Sequence, residues 1–119
     1  MAAPHQLGKA GEEAAQALLL NKDYTILATN YRTGRLEIDI IARKDDMLVI
    51  VEVRTRATDW YQQPEATVDR KKRLHLAQAA QGYIRYTRWQ GETRFDIIAI
   101  VKKADGSFEL EHFEDAFRP

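Results

Sequence analysis

The chain has 119 residues, 45% apolar and 30% charged, and its 18 basic and 18 acidic side chains cancel to a formal net charge of zero. That length suits one domain over residues 1–119 with one modest core, and no apolar run approaches the ~18 residues of a bilayer span. The lack of cysteine excludes disulfides and thiolate metal sites, and zero net charge argues against coating nucleic acid by bulk electrostatics, so any polyanion contact must be local. Met1–Gln6 is too short and polar for a signal peptide, which makes a cytoplasmic location the default expectation.

In chain order, Leu7 to about Leu20 predicts a helix rich in Ala and Leu, both strong formers. Gly8, Gly11, Ala15 and Leu19 line one of its stripes, and Glu12 falls with them, which aims this carboxylate toward a sheet; Glu13 lies nearer the edge of a second stripe. A solvated helix charge is the alternative for either glutamate. Asn21-Lys22-Asp23 ends the helix, Tyr24–Ala28 reads as a strand, and Asn30–Gly34 as a turn-rich approach to a hairpin.

Two apolar runs rich in Ile and Val, Leu36–Ala42 and Met47–Val53, flank the polar turn Lys44-Asp45-Asp46, the pattern of a β-hairpin. A turn centred between Asp45 and Asp46 pairs residues whose numbers sum to 91, which sets Asp39 opposite Glu52 and Glu37 opposite Arg54. Opposed side chains lie about 4.5–5.5 Å apart at Cβ, and like charges there destabilise a sheet unless something offsets them. A divalent cation does so, because hard ions are held by one or two carboxylates with phosphate and water completing the shell. The alternative is that Glu52 marks the solvent end of a strand while Glu37 and Arg54 form a cross-strand ion pair. Glu52 interrupts an unbroken apolar run, where an unpaired charge is costly, and this favours the metal site.

Ala57–Glu65 reads as a loop whose Trp60 and Tyr61 either stack on bases or pack. Thr67 is a candidate N-cap for a helix from Val68 to about Thr87 with Leu76, Ala80, Tyr83 and Ile84 buried. Its first turns carry Arg70-Lys71-Lys72-Arg73, cations at the positive end of the helix dipole. A bound phosphate makes that placement sensible; a solvated charge run answered by Asp69 and Glu65 is the alternative. Arg94–Val101 predicts a buried strand and Ser107–Phe113 an alternating one. The plan is helix, three strands, helix, two strands: an α/β sandwich. His5, His75 and His112 lack metal-ligand spacing, and no phosphate-binding glycine loop or serine triad pattern is present, Ser107 being the only serine.

Asp39, a hairpin, then Glu52-Val53-Arg54 resembles the D…(D/E)xK signature of the restriction-endonuclease-like superfamily. More narrowly, LGKAGEEAA, NYRTGRLEIDIIA, VIVEVRTR, TVDRKKRLHLAQAA, RFDIIAI and FEDAF resemble, in that order, segments of the bacterial YraN family of endonuclease-like proteins. The resemblance implies a restriction-endonuclease-like α/β/α sandwich, with a mixed sheet of about five strands flanked by helices, similar to archaeal Holliday-junction resolvases. It implies hydrolysis of phosphodiester bonds in DNA, branched or single-stranded, with Mg²⁺ or Mn²⁺ as cofactor; a nuclease-like module that binds nucleic acid or protein without cleaving is the alternative. Carried over by position, Asp39 and Glu52 match the metal-binding carboxylates, Glu12 the acidic residue of the first helix, and Lys72 a basic residue early in the second. Arg54 stands at the usual lysine; unlike lysine it cannot deprotonate to act as a base, but it can clamp phosphate. Arg56 and Arg70, Lys71, Lys72 and Arg73 are the candidate nucleic-acid contacts, and Glu37 a supporting carboxylate. A homodimer is expected by analogy with resolvases.

Overall fold

The computed structural model describes residues 4–56 and 68–119. Seven elements run in order: α1 (Pro4–Asn21), β1 (Thr25–Thr33), β2 (Leu36–Lys44), β3 (Met47–Arg56), α2 (Arg70–Thr87), β4 (Glu92–Lys102) and β5 (Phe108–Phe113). The strands form one five-stranded sheet in the order β1-β2-β3-β4-β5. Neighbouring pairs are antiparallel except β3–β4, which is parallel. That exception follows from α2, since joining parallel strands needs a crossover long enough to hold a helix. Among the described residues no helix is long and apolar enough to cross a membrane.

Each sheet face carries one helix. On one, Leu76, Ala79 and Ala80 of α2 pack on Ile41, Leu48, Ile50 and Ile97; on the other, Ala15 and Leu19 of α1 pack on Ile40, Val49, Val51 and Ile98. The alternation along β3 and β4 is the period-2 rule at work, and burial on both sides explains why these strands read as continuous apolar runs. The result is the expected α/β sandwich with its mixed five-stranded sheet.

The hairpin register is as expected, with Ile40–Val51, Ile41–Ile50, Ala42–Val49, Arg43–Leu48 and Lys44–Met47 paired. Two local expectations are corrected. Asn30–Thr33 is no turn approach but the second half of β1, paired with β2 down to Thr33–Leu36, and Gly34 (φ +61°) with Arg35 forms the turn. Asn30 hides this strand in the sequence: it takes a left-handed φ of 49°, which asparagine tolerates better than most residues, and so breaks the alternation. The second helix begins at Arg70 rather than Val68, capped by Asp69, whose carboxylate accepts from Lys72 N at 2.8 Å. Val68 is buried in the core instead, and an Asp immediately before the first helical residue caps well. Thr67 lies outside the described residues.

The break at Asn30 turns both strands over. Ala28 and Tyr31, three apart, both pack on the α2 side, and across from them so do Ile41 and Ile38. Ile40, two residues from Ile38, faces α1. Residues two apart in a regular strand share a face, so the change of face falls at Asp39.

Candidate functional site

Asp39 also marks where the hairpin divides. The β2–β3 ladder stops at Ile40–Val51; farther out, β2 pairs with β1 while β3 pairs with β4 to Arg56–Val101. The Asp39 carboxylate takes over where the ladder ends, with Oδ2 accepting from Val53 N at 2.8 Å. This bond fixes the side chain beside β3, next to Glu52. The sequence register thus brings the two carboxylates together, although through a fork rather than a continued ladder.

Glu52 is only 4% exposed. Burial, then the Asp39 charge and a hydrogen bond to Asp39, push its carboxyl from 4.5 up to about 7, against the opposing pull of Lys72 and Arg54. Arg54 Nη2 lies 3.2 Å and Lys72 Nζ 3.6 Å from Glu52 Oε2. Lys72 reaches in from the first turn of α2, because Glu52 and Arg54 share the α2 side of β3. The expected alternative of a Glu37–Arg54 ion pair is corrected: Glu37 pairs with Arg32 of β1 at 3.5 Å, its direct neighbour in the ladder, while Arg54 turns to Glu52.

From the other side of the sheet comes Glu12, half-buried, whereas Glu13 is exposed. Burial, followed by the Asp39 charge, raises the Glu12 carboxyl; a hydrogen bond with the Asn30 side chain lowers it, and Glu37 raises it further. Gly11 makes this approach feasible. A Cβ there would run into the Thr55 hydroxyl of β3 well inside contact distance, so only glycine lets α1 lie this close to the fork.

The remaining predicted contacts divide. Arg70 and Lys71 are exposed. Arg73 serves packing, with Nε donating to Val68 O at 2.8 Å and its guanidinium 5.3 Å from the Phe117 ring centre. Arg56 closes β3, but its side chain lies outside the described residues, as does the Ala57–Glu65 loop with Trp60 and Tyr61. A second charged cluster, absent from the sequence-based expectations, sits across the sheet from Glu52. Buried Asp96 accepts from Arg94 Nε and Nη2 at 2.8 and 2.7 Å and from Asp115 N at 2.9 Å, and meets His112 Nε2 at 2.7 Å. Tyr24 and Lys22 complete it, Arg94 Nη2 donating to Tyr24 Oη at 2.6 Å and Lys22 Nζ lying 2.7 Å from His112 Nδ1. Its bonds are internal, and they fasten the C-terminal segment and the start of β1 to β4. A charge in RFDIIAI was the available signal, since an Asp inside a buried run needs partners.

These features define a class: an α/β/α sandwich whose sheet forks around two converging acidic side chains, with a third carboxylate from one helix and a lysine from the other. Among the described residues no three His, Asp or Glu side chains form a ready-made cation cage. The chain belongs to the uncharacterised protein family UPF0102, whose model matches residues 11–100, a span that includes Glu12, Asp39, Glu52, Arg54 and Lys72. It is 43% identical to a UPF0102 protein of Parabacteroides distasonis over 98% of this chain and 96% of that one. With a UPF0102 protein of Bacteroides thetaiotaomicron it shares 42% identity over 100% and 98% of the two chains. The corresponding figures for one from Flavobacterium psychrophilum are 44%, 98% and 98%.

Proposed function

We propose that this protein is a metal-dependent endonuclease of the restriction-endonuclease-like superfamily, hydrolysing phosphodiester bonds in DNA, as its resemblance to the YraN family implies. One observation carries the reading: the fork converges Asp39 and buried Glu52 and sets Arg54 and Lys72 beside them, and unlike the internally bonded Asp96 cluster this group leaves Glu52 in conflict with a second carboxylate.

The donor set fits a hard cation. Two carboxylates suffice for Mg²⁺ or Mn²⁺, which retain waters and accept substrate phosphate oxygens, so a three-residue cage is not required. Asp39 and Glu52 would hold the ion, which when bound polarises a phosphoryl oxygen and lowers the pKa of bound water. Asp39 is oriented for this by its bond to Val53 N. Arg54 and Lys72 offer fixed positive charge where the phosphate gains negative charge during attack. Arg54 suits a bidentate clamp rather than a proton-transfer role. Glu12 adds a third negative side chain at the α1 side of the fork, deepening the potential that draws in a cation.

The test is cleavage of labelled single-stranded, duplex and four-way-junction DNA with Mg²⁺, Mn²⁺ or chelator. Nicking that needs metal and disappears in a folded Glu52→Gln variant is the expected result. No cleavage of any substrate by the parent protein and by Arg54→Lys would overturn it. Arg54 itself favours a second reading, a module that binds nucleic acid without cleaving, since lysine is the usual residue at that position. That reading predicts binding insensitive to chelator and to Glu52→Gln.

A further inference from the structure

We propose that the outward face of α2, from Arg70 and Lys71 at its start to Arg85, Tyr86 and Arg88 at its end, is a track for single-stranded nucleic acid with Tyr86 as a base-stacking platform. The proposal rests on the nuclease reading for the class of polyanion, and goes beyond it in naming the strand type and the surface.

Charge distribution is the first argument. Residues 70–91 contain six Lys and Arg and no Asp or Glu, in a chain that has 18 of each sign. Solvated helices ordinarily interleave acids at i+4 to offset such a run. Here the whole second helix does without them; Lys72 and Arg73 turn inward to Glu52 and Val68, and exposed Arg70, Lys71, Arg85 and Arg88 leave the outer surface positive on a neutral protein.

Geometry is the second. The apolar side of α2 is buried under Leu76, Ala79 and Ala80. At 100° per residue, Arg70, Leu74, Gln78, Gln81 and Arg85 share the opposite stripe, and all five are exposed. Arg70 and Arg85 stand about 22 Å apart at 1.5 Å per residue, the length of roughly six phosphates at duplex spacing and fewer on a stretched strand. An open cavity of about 460 Å³ at the start of the stripe is lined by Arg70, Arg73 and Arg118 together with Asp69, whose carboxylate is engaged in capping the helix, and by Val68, Leu74 and Pro119.

Tyr86 is the third. It is 84% exposed, against 40–57% for the other exposed large apolar side chains among the described residues. Tyr86 stands about 100° round the helix from Arg85, at the flank of the stripe. Its exposed ring presents a face that only unstacked bases can meet, while Arg85 and Arg88, its neighbours in sequence, take phosphates. An anionic membrane fits less well. Binding there needs an apolar helix face to enter the lipid, and the apolar face of α2 is already spent on the sheet.

The experiment measures binding of a fluorescein-labelled oligo-dT 12-mer to the full chain in chelator, so that cleavage cannot contribute. A labelled 12-bp duplex and phosphatidylserine-containing vesicles are run as parallel probes. Tyr86→Ala is expected to weaken oligo-dT binding about tenfold, with Tyr86→Phe binding like the parent, since the ring face and not the hydroxyl stacks. Arg85→Gln with Arg88→Asn should flatten the log-affinity against log-salt slope by about 1.4, two single-strand phosphate contacts. Asparagine at 88 keeps the left-handed backbone there (φ 58°) accessible, and thermal melts confirm that each variant is folded. Absence of oligo-dT binding by the parent, an unchanged affinity for Tyr86→Ala, an equal loss on the duplex, or dependence on these residues confined to vesicles would each overturn the proposal. The cleavage assay run beside it separates the two readings: no metal-dependent nicking with Tyr86-dependent oligo-dT binding intact would refute the nuclease reading alone, whereas nicking with oligo-dT binding indifferent to Tyr86 would refute the track alone.

Discussion

Glu52→Gln should make the metal-free protein more stable at alkaline pH while removing the function proposed for it. The Glu52 carboxyl is raised from 4.5 to about 7, so the folded protein holds a proton there that the unfolded chain has released. Stability from this group is therefore complete below pH 4.5 and is lost as pH rises through 7. At 1.36 kcal/mol per pKa unit, ionised Glu52 costs the fold on the order of 3 kcal/mol at pH 8. Glutamine mimics the protonated acid: it can donate to Asp39 and accept from Arg54 without adding charge. The variant should then exceed the parent by about 3 kcal/mol at pH 8, roughly 10 °C in melting temperature for a domain of this size, and by less than about 1 kcal/mol at pH 5. Denaturant unfolding of both proteins in chelator at the two pH values measures this. A variant no more stable than the parent at pH 8, or a gap that is the same at both pH values, would refute the reasoning that the carboxylate pair is in electrostatic conflict.

Other expected outcomes concern single residues. Gly11→Ala should cost about 1–3 kcal/mol by overpacking against Thr55, and Gly11→Ala with Thr55→Ala should recover most of it in denaturant titrations. Asp96→Asn should cost about 3 kcal/mol, because it leaves Arg94 without its buried partner. Burial raises the Asp96 carboxyl, but bonds from His112, Arg94 and the Asp115 amide outweigh this and hold it below 3.8. Its contribution is therefore present above pH 3.8 and lost as pH falls, and the asparagine variant should flatten that acid limb of stability. Arg88→Gly should raise stability by about 0.5–1 kcal/mol in the same titrations, since Arg88 caps α2 at φ 58° with its N–H donating to Ile84 O.

The hairpin was legible because both its strands are buried and a one-residue slip would turn a whole apolar face outward; Ile40–Val51 through Lys44–Met47 could hardly pair otherwise. The helices were legible as elements but not at their ends, where Asp69 takes the cap expected of Thr67. The fork could not be read. It depends on a left-handed backbone at Asn30 and on Asp39 replacing a ladder bond to Val53, and neither leaves a periodic trace. For the same reason the destinations of Glu37 and Arg54 came out differently, while Glu12, placed by helix periodicity, faces the sheet as expected; the approach of Lys72 to Glu52 left no trace in the sequence pattern. The Asp96 cluster was missed because its partners are dispersed along nearly the whole chain, from Lys22 to Asp115.

A β-sheet normally insulates the helices on its two sides from one another, each answering to its own core. Here Glu12 arrives from the α1 layer and Lys72 from the α2 layer, and both act on the same pair of carboxylates, Glu12 on Asp39 and Lys72 on Glu52. Substitutions at these two residues, made singly and together, should be non-additive by more than ~0.5 kcal/mol although they stand in opposite layers, where distant sites ordinarily add. The break in the ladder thus makes a single electrostatic unit of two helices on opposite faces of the sheet, and a change in the seating of either one is communicated to the other through Asp39 and Glu52.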